Sequence, residues 1–149
     1  MTKGRWSNGI LKMDSSDRYN SLFEYYADHF GLDWKDLKAQ AKAESNFDPL
    51  ARSGAGAMGL TQFMPATFKE WSDRLHIGIT ANPYNPEHAI MCQAGYMASL
   101  HNRYGGNHAR ALAAYNWGMG RVDKAEEKDY PDETQQYLAR IETYRAALA

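Results

Sequence analysis

The sequence holds one cysteine, Cys92, among 149 residues, so no disulfide can close within the chain and no thiolate metal cluster can assemble from it alone. Cys92 follows Ile90 and Met91 and reads as a small buried hydrophobe. Charge of one sign is also missing. Seventeen Lys and Arg face eighteen Asp and Glu, a net charge of -1, which removes the electrostatic reason to expect nucleic acid as a partner. No apolar run is long enough to span a membrane, and Met1 to Tyr19 lacks the apolar core of an export signal. Neither membrane insertion nor leader-directed secretion is expected. The histidines, His29, His76, His88, His101 and His108, show no metal-ligand spacing, so metal catalysis is not expected. Alternating strand patterns of any length are absent as well.

What the chain does contain is 44% hydrophobic and 13% aromatic residues, enough for one packed domain at this length. Residues 1 to 16 carry no clear period and read as an N-terminal arm, with the domain proper over 17 to 149. Tyr19, Leu22, Phe23, Tyr26 and Phe30 recur at helical spacing and Gly31 follows at a C-terminal capping position. Asp33 can cap a second helix, stopped by Pro49. Pro65 opens a third, to about Leu75. Asn85-Pro86-Glu87 begins a fourth, which runs to Tyr104. Asn107 caps a fifth that ends near Asn116, with Gly118 and Gly120 as breakers, and Asp132 starts the last. The segment 76 to 84 suits a loop better than a small hairpin. The fold class is all-α, with no internal repeat.

On the second helix Trp34, Leu37, Ala41 and Glu44 fall at steps of three, four and three, which places an acid on the apolar stripe near a helix end. Burial there favours the neutral carboxyl, as a general acid requires. Acids at helix ends also pair with nearby arginines, here Arg52, and the pattern alone leaves both readings open. Downstream, Ser53 to Gly59 holds three glycines and, Met58 apart, only small side chains; it suits either a loop through which a ligand meets backbone or a plain connector.

Longer strings carry more. Glu44-Ser45-Asn46-Phe47-Asp48-Pro49, Ser53 nine residues after Glu44, and Gly59-Leu60-Thr61-Gln62-Phe63-Met64-Pro65 are followed by Ala114-Tyr115-Asn116-Trp117-Gly118 and by Glu133-Thr134-Gln135-Gln136-Tyr137. In order and separation these segments resemble the soluble lytic transglycosylase family (the SLT domain) over about residues 18 to 148. The resemblance implies a lysozyme-like helical domain. Its groove would bind the alternating N-acetylglucosamine and N-acetylmuramic acid strand of peptidoglycan. It implies Glu44 as catalytic acid and base, with Ser53, Gln62, Met64, Tyr115 and Glu133 as saccharide contacts. Asn116 is either a further contact or a structural helix terminator, and Tyr115 unaided would read as a core tyrosine. Thr61, Phe63 and Trp117 depart from the residues commonest at their places, which bears on groove shape.

Most glycosidases use two carboxylates. Asp48, Asp33 and Asp36 read as caps or solvated charges, which leaves one acid. A lytic transglycosylase needs only one: the muramic C6 hydroxyl attacks its own anomeric carbon and leaves a 1,6-anhydro end. The alternatives are a goose-type muramidase, hydrolysing on the same scaffold, and a non-catalytic peptidoglycan-binding component of a virion. The lack of an export signal fits a bacteriophage enzyme. Such an enzyme is made in the host cytoplasm as a monomer, and is either released to the wall through a holin-type pore as an endolysin or carried in the particle.

Overall fold

The computed structural model describes residues 5–7, 10–12 and 15–148, with side chains from Ser16 onward. Among the described residues seven α-helices make up the body: α1 (Asn20–Phe30), α2 (Trp34–Ser45), α3 (Pro65–Arg74), α4 (Pro86–Arg103), α5 (His108–Trp117), α6 (Met119–Asp123) and α7 (Asp132–Ala147). Two three-residue strands, β1 (Arg5–Ser7) and β2 (Ile10–Lys12), pair antiparallel ahead of them. The hairpin thus falls inside the stretch read from sequence as an arm, and the rest of that arm lies outside the described residues. Segment 76–84 carries no strand, as its irregular pattern suggested.

The helix ends follow local chemistry. Gly31 closes α1 with φ 72°, a left-handed conformation that costs glycine little. Asp33, Asn85 and Asn107 cap α2, α4 and α5 by accepting the amides of Lys35, His88 and Arg110. The end of α2 differs from expectation. Asn46 and Phe47 turn left-handed, at φ 53° and 64°, and stop the helix before Pro49 comes into play. After Gly118 (φ 106°) the chain re-enters a short helix, α6, with Gly120 inside it. One glycine breaks the helix there; two were expected.

Helix α4 runs through the middle, with Ala89, Ile90, Ala94, Met97 and Leu100 all buried, and packs against α1, α3 and α5. Helices α2 and α7 lie along each other, joined by Leu37, Ala41, Tyr137 and Ile141 of the main core. Cys92 is buried with Phe63, Phe68 and Trp71 in a second, aromatic cluster, where an apolar environment pushes its thiol up to about 12. A buried ammonium needs partners, and that of Lys38 has Asp17 at 3.0 Å and Asn20 at 2.7 Å. Among the described residues no helix is long and apolar enough to cross a membrane.

Between α2 and α3 the chain makes a compact loop tied by its own backbone. Met58 and Phe63 exchange amide bonds of 2.9 and 3.1 Å, and the Gly59 amide donates to Ala51 at 2.7 Å. Gly59 has φ 80°, and a Cβ there would lie 1.9 Å from the Pro83 carbonyl oxygen. This is where the loop presses onto segment 76–84. Gly31 has a similar φ with open space around it. Gly31→Ala is expected to cost about 1 kcal/mol, whereas Gly59→Ala adds a backbone clash and is expected to cost more than about 3 kcal/mol. Chemical denaturation of the two variants checks this, and equal losses would remove the close approach from the account.

Candidate active site around Glu44

Glu44 occupies the last turn of α2 and is half-buried. Its Oε2 accepts the Tyr137 hydroxyl of α7 at 2.7 Å. Desolvation raises its pKa from 4.5 to about 8, opposed by the Tyr137 hydrogen bond and the Arg140 charge and assisted by the Glu133 charge. Among the described residues Glu44 makes no ion pair within 4 Å, with Arg52 or any other base. The pairing alternative therefore falls away. Near neutral pH the side chain is a neutral acid beside a phenol, a state suited to proton donation.

Ser45 explains why a serine follows the acid. Its hydroxyl donates to the Leu60 carbonyl at 2.7 Å, which clamps the loop to the helix end that presents Glu44. Thr61 is fully buried; its hydroxyl donates to Ala89 of α4 at 3.2 Å and its carbonyl receives the Tyr115 hydroxyl at 2.8 Å. Tyr115 sits on α5 against Phe63 and Tyr96, with ring centroids 5.6 and 5.2 Å away. Burial and the Glu44 charge both push its hydroxyl well above the usual tyrosine range, so it remains a neutral phenol near Glu44. It packs in the aromatic cluster as a core tyrosine would, and its electrostatic coupling to Glu44 places it near the acid.

The other expected site residues divide. Ser53 accepts the Ala57 amide through its hydroxyl oxygen at 2.9 Å, which shapes the loop and leaves its O–H proton free to point elsewhere. Gln62 stands at φ 54°, a strained position for a residue with a side chain. Its amide nitrogen bonds the Ala51 and Gly59 carbonyls at 3.2 and 2.9 Å. Only the Gln62 Oε1 is left to meet a ligand. Met64 is exposed at the mouth of α3, and Glu133 is exposed in the first turn of α7, one turn before Tyr137. Asn116 accepts the Thr134 hydroxyl at 2.9 Å, a tie between α5 and α7 rather than a side chain held out to solvent. Asp48 caps a turn at Leu50, and Asp33 and Asp36 bind Arg145.

Tyr137 is the residue that sequence reasoning missed. It lies within the last motif, and its place one turn after Glu133 on the face of α7 that packs on α2 is the signal that finds it. Gln40, one turn before Glu44, is also buried and hydrogen-bonded to Tyr137 at 3.1 Å.

The model of the Transglycosylase SLT domain matches residues 21–138. The chain belongs to this family. It is 35% identical over 123 residues to the peptidoglycan transglycosylase gp16 of Escherichia phage T7, covering 79% of this chain and 9% of that protein. To the soluble lytic murein transglycosylase of Escherichia coli (strain K12) it is 33% identical over 107 residues, 70% of this chain and 17% of that one. Among solved structures, an inactive mutant of lytic transglycosylase Slt from Pseudomonas aeruginosa superposes with a TM-score of 0.80 at 31% identity, over 88% of this chain and 24% of that one. The 70 kDa soluble lytic transglycosylase of Escherichia coli gives 0.77 at 28% identity, over 87% and 24%. The SLT domain here thus spans a quarter or less of the length of these relatives.

The raised pKa of Glu44 has a thermodynamic sign. The unfolded carboxyl ionises near 4.5 and the folded one near 8, so between those values the unfolded state holds fewer protons and stability falls as pH rises. Glu44→Gln removes the ionisation while keeping an oxygen for Tyr137. It is expected to raise stability by about 3 kcal/mol at pH 7 and to change little at pH 4, as read by thermal melts at the two pH values.

Proposed function

We propose that the chain is a peptidoglycan lytic transglycosylase that cleaves the β-1,4 bond between N-acetylmuramic acid and N-acetylglucosamine and forms 1,6-anhydromuramic ends. The observation that carries the reading is the single desolvated carboxyl of Glu44, held by a phenol and facing no paired base. Family membership and relatives named as peptidoglycan and murein transglycosylases support the substrate class.

Glu44 gives its proton to the glycosidic oxygen as the C1–O bond breaks. The muramic C6 hydroxyl forms the new bond to C1, and its proton passes to the Glu44 carboxylate, which restores the acid. Positive charge that develops at C1 in between is stabilised by the newly formed carboxylate. Ser53, the Oε1 of Gln62, Met64 and Glu133 are read as saccharide contacts, and Tyr115 as a wall of the site beside the acid. Asn116 supports the site through Thr134. No metal or cofactor takes part in these steps.

The domain is read as residues 17 to 149 with an N-terminal arm, acting as a monomer. The likeness to the phage protein supports a bacteriophage setting. In that setting the protein reaches the wall either after holin-type release, as an endolysin, or within the particle.

The Glu133 charge, felt at Glu44, favours one second reading, in which Glu133 activates a water and the protein is a muramidase. Digestion of purified sacculi followed by mass spectrometry separates the two. The proposal expects muropeptides one water lighter than hydrolytic products, a loss of at least about 100-fold in Glu44→Gln, and anhydro products retained in Glu133→Gln. Reducing ends that vanish in Glu133→Gln would establish hydrolysis.

A further inference from the structure

Behind Glu44 a row of side-chain hydrogen bonds crosses the core from α4 to α2 to α7. Gln93 Nε2 donates to the Leu37 carbonyl and to Gln40 Oε1, both at 3.0 Å. Gln40 Nε2 donates to the Tyr137 hydroxyl at 3.1 Å and to the Met97 sulfur at 3.6 Å. Tyr137 then donates to Glu44. Gln93, Gln40 and Tyr137 are each no more than 1% exposed.

The direction of this row is set at its far end. A backbone carbonyl can only accept, so Leu37 demands the nitrogen side of the Gln93 amide. The second N–H of Gln93 then faces Gln40 and demands its oxygen, which turns the Gln40 nitrogen toward Tyr137 and Met97. Neither amide can turn over alone without setting like against like: a reversed Gln93 would point an oxygen at two acceptors. With an N–H already directed at the Tyr137 oxygen, its proton has one acceptor left, Glu44. The arrangement has a cost, because Gln93 Oε1 is buried with no hydrogen-bond partner among the described residues, and an apolar pair of similar shape would avoid it.

We infer that Gln40 and Gln93 are positioning residues that fix the Tyr137 hydroxyl as a donor to Glu44 Oε2 and so keep the transferable proton on Oε1. This rests on the reading of Glu44 as acid and base. Because Tyr137 donates in both protonation states, the proton of neutral Glu44 cannot settle against the phenol, where it would be out of reach of a glycosidic oxygen. The same donor stabilises the carboxylate that forms after proton transfer. The other groups that act on Glu44 are Arg140 and Glu133, on the same helix as Tyr137, and Tyr115 on α5; none of them is bonded to the row.

Gln93→Leu frees Gln40 to turn and accept from Tyr137, which withdraws the donor from Glu44. The double variant Gln40→Leu with Gln93→Leu lets Tyr137 accept the Glu44 proton, and replaces the unpaired oxygen with packed methyls, so it should fold at least as well as the unsubstituted chain. Both changes favour neutral Glu44. The alkaline limb of the pH–rate profile is expected to rise by about one pH unit in each, with kcat lowered and KM unchanged. Thermal melts establish that each variant is folded at the assay temperature. Carboxyl infrared titration, with Glu44→Gln as the blank, reads the same rise without turnover. Glu44 titration curves that superimpose on the unsubstituted protein in two folded variants would overturn the inference. An unsubstituted chain that turns over no peptidoglycan would overturn the proposed activity, while the infrared titration would still decide on the row.

Discussion

A carboxyl group at the end of a helix loses most of its hydration when another helix is laid over it, and that loss must be compensated or the group stays protonated. Here the cover is α7, and the compensation is partial: one phenolic hydrogen bond from Tyr137, against burial that still leaves Glu44 titrating near 8. The rest of the fold maintains that balance. Packing of α2 on α7 sets the distance, α4 supplies the amide row behind it, and α5 brings Tyr115 alongside. A tighter bond network would pull Glu44 toward an ordinary carboxylate, unable to give a proton at neutral pH. Greater exposure would do the same through water.

The loop between α2 and α3 carries the other half of the architecture. Ser45 pins it to the helix that bears the acid, Thr61 pins it to α4, and Gly59 lets it press against Pro83. Left-handed backbone at Phe47 and Gln62 shows that the path is imposed on residues that would otherwise avoid it. Such strain persists only where surrounding contacts hold it, and here they are bonds to two helices. Thr61, which departs from the commonest family residue, fits because its hydroxyl finds a buried carbonyl and its own carbonyl serves Tyr115.

Much of this was legible in the chain. Capping residues Asp33, Asn85 and Asn107 marked helix starts because their side chains have one local bond to make, and Gly31 marked an end because φ is positive there. Glu44 stood out as an acid in an apolar period. What sequence could not show was long-range pairing. Nothing local links Gln93 to Gln40 or Tyr137 to Glu44, since those contacts depend on how helices far apart in the chain cross. The short helix α6 escaped for a similar reason: Val122, packed in the main core, holds a five-residue helix that its own glycine argues against. Gln62 was expected to offer its amide to sugar, yet its nitrogen is engaged by the Ala51 and Gly59 carbonyls, and the Asn116 oxygen is taken by Thr134, a division that residue type alone does not reveal.

The direct measurement is a 13C NMR titration of the Glu44 side-chain carboxyl in the unsubstituted, ligand-free protein. A midpoint near 8 is expected, with the signal of a neutral acid through neutral pH. A midpoint near the ordinary 4.5 would mean that Glu44 is a carboxylate at neutral pH, and that its burial against Tyr137 does not hold a proton there.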